Sequence, residues 1–258
     1  MKKLILAILA MAATLPARAE IHTEAVEYKQ GETVLEGYLA YDSAVTGKRP
    51  GVLIAHQWKG LGTYEKMRAD MLAKLGYTVF AVDIYGKGIR PGNQKDAGEQ
   101  AGKYKNDRAL LRARVLAGLE VLKNNSRTDT RHLAAIGYCF GGTTVLELAR
   151  SGTPISGVVS FHGGLSTPNA ADAKNIQGKV LALHGADDPF VPAAEVTAFE
   201  EEMRAAKVDW QLVAYGGAVH SFTDAGAGND NSKGVAYNAA ADQRSWEAMK
   251  GFFAEIFK

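Results

Sequence analysis

Residues 137–142 read Gly-Tyr-Cys-Phe-Gly-Gly and hold the only cysteine of the 258-residue chain. They follow the apolar run Leu133-Ala134-Ala135-Ile136 and precede a helical pattern over residues 143–150. A glycine two residues before and two after a nucleophile, at a strand-to-helix turn, forms a nucleophile elbow; here cysteine stands in the serine position. Flanking glycines let neighbouring backbone pass close to a strained turn. The positive end of the following helix favours the thiolate, which is the reactive form. Alone, the six residues also suit a Gly-rich turn around a buried cysteine, or a phosphate-binding turn. The strand before, the helix after and the third glycine favour the nucleophile.

A thiol with an ordinary pKa of about 8.5 needs a base beside it near neutral pH. On such a scaffold the order along the chain is nucleophile, acid, histidine. Of the six histidines (His22, His56, His132, His162, His184 and His220), only His220 follows an acid placed at the end of the 180–184 strand pattern. That acid lies in Gly185-Ala186-Asp187-Asp188-Pro189. Asp188, just before the proline, is expected to orient His220, and Asp187 to brace the turn. Two backbone N–H groups are needed for the developing oxyanion. One is expected from Phe140, the other from Gln57 or Trp58 in the loop after the 51–56 strand, with Gln57 favoured.

These residues sit at the ends of short apolar runs at 51–56, 78–83, 133–137, 155–161, 180–184 and 210–215. Helical patterns at 64–75, 103–124, 143–150, 193–206 and 236–257 separate or follow them. This alternation predicts an α/β fold with a mainly parallel twisted sheet and helices on both faces. Residues 22–30 and 33–41 alternate polar and apolar around Gly31 and predict an antiparallel N-terminal hairpin. A ligand crevice is expected at the carboxyl ends of the parallel strands. Strand ends from distant parts of the chain meet there.

The chain is 47% apolar and carries a formal charge of only +2. Those values fit a globular protein and speak against a dedicated nucleic-acid binder. One cysteine closes no intrachain disulfide. Met1-Lys2-Lys3, the apolar run from Leu4 to Ala13, and Ala17-Arg18-Ala19 form the three parts of a signal peptide, with cleavage expected after Ala19. Residues 20–258 then form one domain, periplasmic or fully secreted, without a stable membrane anchor, as a monomer or small homo-oligomer. Losing Lys2, Lys3 and Arg18 turns the charge of +2 into −1.

With these segments in place, the chain resembles the dienelactone hydrolase family of α/β-hydrolases. The resemblance runs from Gly51 to Phe257, less firmly over the hairpin. It rests on residues 137–142, Asp188-Pro189-Phe190-Val191-Pro192 and His220-Ser221-Phe222, with softer matches at Asp83-Ile84-Tyr85-Gly86 and Gln57-Trp58-Lys59-Gly60. It implies Cys139 as nucleophile, Asp188 as orienting acid and His220 as base. It also implies hydrolysis of a small ester or lactone through a thioester acyl-enzyme, without metal or organic cofactor. Members acting on dienelactones carry a glutamate after the third strand and an arginine four residues after the histidine; here those positions are Gln57 and Asp224. Neutral substrates are therefore expected over carboxylate-bearing ones.

Other readings remain open at this point. A general carboxylesterase or thioesterase would line an apolar pocket with Trp58, Tyr85, Phe161 and Phe222. A binding protein on a hydrolase scaffold would lack turnover altogether. A metal site from His56, His162, His184 and Asp187 lacks local ligand spacing. The cations Arg90, Lys95, Lys103, Lys105, Arg108 and Arg112 fall in the segment expected over the site, and receive no role.

Overall fold

The computed structural model describes residues 20–258, so the expected signal peptide over residues 1–19 lies outside the described residues. Strands β1 (Ile21–Gln30) and β2 (Thr33–Asp42) form the antiparallel hairpin, and β2 then pairs antiparallel with β4 (Thr78–Val82). Strands β3 (Arg49–Ala55), β5 (Thr128–Tyr138), β6 (Gly157–Phe161), β7 (Lys179–Gly185) and β8 (Trp210–Tyr215) continue the sheet in parallel with β4. The spatial order is β1-β2-β4-β3-β5-β6-β7-β8. This is the mainly parallel sheet with an N-terminal hairpin that the alternation of patterns predicted.

Neighbouring residues of one strand feed opposite cores, because strand side chains alternate between faces. Val52 and Ile54 of β3 join Ala69 and Leu72 of α1 (Thr63–Lys74) and Met249 and Phe253 of α6 (Ala239–Ile256). Leu53 and Ala55 join the other face. There they meet Leu111 and Val115 of α3 (Arg108–Asn124), Val145 and Leu148 of α4 (Phe140–Arg150) and Phe199 of α5 (Ala193–Ala206). Each leucine or phenylalanine so buried adds about 1.5–3 kcal/mol.

The helix expected over 103–124 is instead two. Asp107 ends α2 (Gln94–Asn106), and its carboxylate accepts the Leu110 N–H at 2.9 Å to start α3. An aspartate that caps competes with continuing the helix. The first two turns of α2 went unread because the polar run from Gln94 to Gln100 shows no apolar period. Likewise the last helix starts at Ala239 rather than 236, where the Asn238 side chain caps Ala241 N–H. The carboxyl ends of β3 to β8 share one edge of the sheet, and the chemistry-bearing residues collect there.

Candidate active site

Cys139 directly follows β5 and occupies the N-cap of α4, with φ 55° and ψ −116°. That conformation costs an L-residue about 1–3 kcal/mol and persists only where its surroundings impose it. Glycine is obligatory around it. A Cβ on Gly137 would lie 1.9 Å from the Gly141 carbonyl oxygen, and one on Gly141 2.1 Å from that of Ala55. Among the described non-glycine residues, four have positive φ, and Cys139, His162 and Ser221 all stand in this region. The strain is concentrated at the site.

The structure brings the three expected side chains together. His220 Nε2 lies 3.0 Å from Cys139 Sγ, and His220 Nδ1 lies 2.8 Å from Asp188 Oδ2. Asp188 is buried and accepts the Phe190 N–H on its other oxygen at 2.8 Å. Asp187 instead accepts the Gly217 N–H at 3.0 Å and ties the acid turn to the histidine loop. His220 itself is clamped through its backbone, donating to Gly234 O and accepting from Ala236 N–H.

Electrostatics favour an ion pair. Burial pushes the Cys139 thiol up, but the adjacent His220 charge and hydrogen bond, Lys105 and the Phe140 N–H outweigh it and bring the thiol below its usual range. Burial likewise opposes charge on His220, yet the thiolate and Asp188 raise it to about 10. Both shifts favour the thiolate–imidazolium form of the pair over the neutral one.

The oxyanion loop corrects one expectation. The Gln57 N–H donates to Glu65 Oε1 at 3.0 Å, so it is not a free donor. Glu65, on the first turn of α1, also accepts the Gly62 N–H and pins the loop from behind. The Gln57 carbonyl accepts from His56 Nδ1 at 2.6 Å and from Gly60 N–H at 3.1 Å. In a trans peptide the N–H points opposite to the C=O. The Trp58 N–H therefore faces away from those donors, and it has no partner among the described residues. Trp58 was the alternative in the sequence, and it is the available donor. Phe140, in the first turn of α4, keeps an N–H with no intrahelical partner, as expected.

The aromatic expectations divide. Trp58 stays partly exposed and packs against the same face of the sheet as Cys139. Tyr85 is buried behind the loop, edge-on to His56 and tilted against Phe140, and its hydroxyl donates to Trp58 O at 2.9 Å. Phe161 and Phe222 are fully buried in the core of the opposite face, with Tyr138 and α6. These three are therefore not pocket walls; strand alternation turned Phe161 away from the thiol. Asp224 is partly exposed, and its Oδ2 accepts from Gln57 Nε2 at 3.1 Å. The two positions that depart from the family pattern thus bond to each other.

Sequence reading overlooked His162 as a support. Its Nδ1 lies 3.2 Å from the Cys139 backbone nitrogen, and its Nε2 2.8 Å from Thr223 Oγ1, which also meets the Tyr64 hydroxyl. His162 thereby joins the elbow to the histidine loop, three residues past His220. Burial keeps it neutral. His56 is neutral for the same reason, pushed down to about 4, and its Nε2 accepts the Ile84 N–H. Both nitrogens of each ring are committed to the protein, and neither is free to ligate a metal. Among the described residues there is no metal-ligating cluster of three or more His, Cys, Asp or Glu.

This architecture occurs in known proteins. The dienelactone hydrolase family profile matches residues 35–257. The chain belongs to the dienelactone hydrolase family. The solved structure named m3DLH is 40% identical, with a TM-score of 0.89 over 92% of this chain and 99% of its own. A solved dienelactone hydrolase-like promiscuous phosphotriesterase from metagenomic libraries is 42% identical, with a TM-score of 0.88 over 93% and 99% of the two chains. A putative carboxymethylenebutenolidase of Synechocystis sp. is 26% identical over 93% of this chain and 99% of its own. The dienelactone hydrolase-like chain is a carboxylic ester hydrolase of the ester and lactone type.

Proposed function

We propose that the protein hydrolyses small uncharged esters or lactones through a thioester on Cys139, with Asp188 and His220 completing a triad. The observation that carries this reading is the continuous line from Sγ through both His220 nitrogens to buried Asp188, at 3.0 and 2.8 Å. In acylation the thiolate attacks the carbonyl carbon, and the π pair moves onto oxygen beside the Phe140 and Trp58 N–H groups. The tetrahedral species collapses, the C–O bond breaks, and the departing alkoxide takes the proton from His220 Nε2. Water then gives a proton back to His220 while its oxygen attacks the thioester. The C–S bond breaks, the acid leaves, and the ion pair is restored. Asp188 holds the ring and stabilises its charge throughout.

Preference for uncharged substrates follows from the Asp224 carboxylate, which Gln57 tethers to the loop that carries the Trp58 donor. A carboxylate arriving beside Asp224 meets like charge. A neutral phosphotriester belongs in the same assay panel, since one relative is named for that activity.

Export after Ala19 is part of the proposal. The Glu20 nitrogen lies 3.0 Å from Asp42 Oδ1, so the amine created by cleavage would meet a buried carboxylate. Mass spectrometry of exported protein should find Glu20 first; active material beginning at Met1 contradicts export. For the chemistry, p-nitrophenyl esters, thioesters and lactones are assayed with the purified protein and Cys139→Ala. Turnover lost in the variant supports the reading, and an inert intact protein favours a binding role instead.

A further inference from the structure

Phe190 is the most exposed large apolar side chain among the described residues, at 59%. Nothing in the packing of the fold requires a phenylalanine there. Yet its position is closely determined. Its N–H donates to Asp188 Oδ1 at 2.8 Å, so the residue is built into the turn that carries the triad acid. Its ring stands edge-on to the His220 ring, with centroids 5.4 Å apart and planes at 79°. The ring also leans on the 231–235 turn, where its Cε2 lies 3.4 Å from the place a Gly234 Cβ would occupy. Buried Val191 anchors the following residue. One side of a fixed aromatic ring is therefore open to solvent beside the imidazolium.

The reaction assigns that open side. The proton that the leaving oxygen takes is on His220 Nε2, so the departing alcohol must come within hydrogen-bond reach of that atom. The carbonyl oxygen is turned the other way, towards the Phe140 and Trp58 N–H groups. The alcohol part of the substrate then extends past His220, over Phe190. The geometry points to Phe190 as the wall of a leaving-group subsite that selects esters of aromatic or bulky apolar alcohols. The inference rests on the ester-hydrolase reading above and adds which half of the substrate is recognised. A ring fixed in place before binding loses little freedom on contact, and aromatic groups meet it favourably edge-to-face. In a lactone the arm released on ring opening takes the same position.

The test varies one half of the substrate at a time. Benzyl and ethyl acetate differ only in the alcohol; p-nitrophenyl acetate and butyrate differ only in the acyl chain. The intact protein should favour benzyl over ethyl acetate in kcat/KM. Phe190→Ala should lower that ratio about tenfold, Phe190→Tyr should keep it, and neither should move the butyrate-to-acetate ratio. Because each ratio is taken within one variant, loss of folded protein cancels. An unchanged benzyl-to-ethyl ratio in Phe190→Ala, or a shift in the acyl ratio instead, overturns the inference while leaving ester hydrolysis standing. No turnover of any ester by the intact protein overturns the ester reading itself, and the inference with it.

Discussion

The elbow with its histidine loop and the rim formed by Gln57, Asp224 and Phe190 stand at the same edge of the sheet but are built differently. The first is held by buried groups: Asp188 is 5% exposed, His162 is fully enclosed, and glycines at 137 and 141 admit no Cβ. Every polar atom of the His220 ring has a partner at 3.0 Å or less. The rim is made of partly exposed side chains joined by single contacts, such as the 3.1 Å bond between Gln57 and Asp224. Changes in the first region break hydrogen bonds and leave buried charge unpaired, so they strike the chemical step. Changes in the second alter what approaches the thiol and leave the apparatus in place.

The contrast breaks most readily at the paired aspartates. Asp188→Asn should lower kcat by about 10²–10⁴-fold, the scale of a misoriented base. Asp187→Asn should cost less than about tenfold, since an amide oxygen still accepts the Gly217 N–H and only the charge on the acceptor is lost. Steady-state kinetics on folded variants checks both, and a larger loss at Asp187 reverses the assignment.

Glu65 lies between the two regions, buried yet bonded to the loop of Gln57. Glu65→Ala should cut kcat by about 10–100-fold by freeing the loop that presents the Trp58 N–H. Its rate of alkylation by iodoacetamide should stay that of the parent, because alkylation uses no oxyanion donors. In the parent that rate should remain high below the ordinary thiol range, where the imidazolium still holds the thiolate. It should change little with rising pH until His220 titrates near about 10, above which the thiolate remains and loses only its imidazolium partner. A parent rate that climbs with pH through the ordinary thiol range contradicts the ion pair. The smallest effect is expected at the rim. Asp224→Arg should shift the preference for neutral over carboxylate-bearing esters by about tenfold, with kcat on the neutral ester little changed.

Much of the first region was legible in the sequence. A nucleophile elbow is a local pattern, and the order of acid and histidine along the chain left one candidate for the base. The strand pattern 210–215 and the helix pattern 193–206 match β8 and α5 because their apolar residues are periodic. The oxyanion donor was harder to read. Which of two adjacent amides is free depends on Glu65 reaching back eight residues from a helix, and no local pattern encodes that reach. Phe161 and Phe222 join the core of the opposite face, and composition does not say which face of the sheet a ring joins. Phe190 lies inside the matched segment 188–192, and only its exposure beside His220 sets it apart. The supporting role of His162 has no local signal, since its partners Cys139 and Thr223 lie 23 and 61 residues away.

The thioester on Cys139 is tested most directly by rapid quenching of the protein with p-nitrophenyl acetate, followed by peptide mass spectrometry. One acetyl group should appear on the Cys139 peptide within the first turnover and decay as product forms, and it should be absent from Cys139→Ala. Turnover with no adduct on that peptide, or an adduct and undiminished hydrolysis in Cys139→Ala, contradicts it.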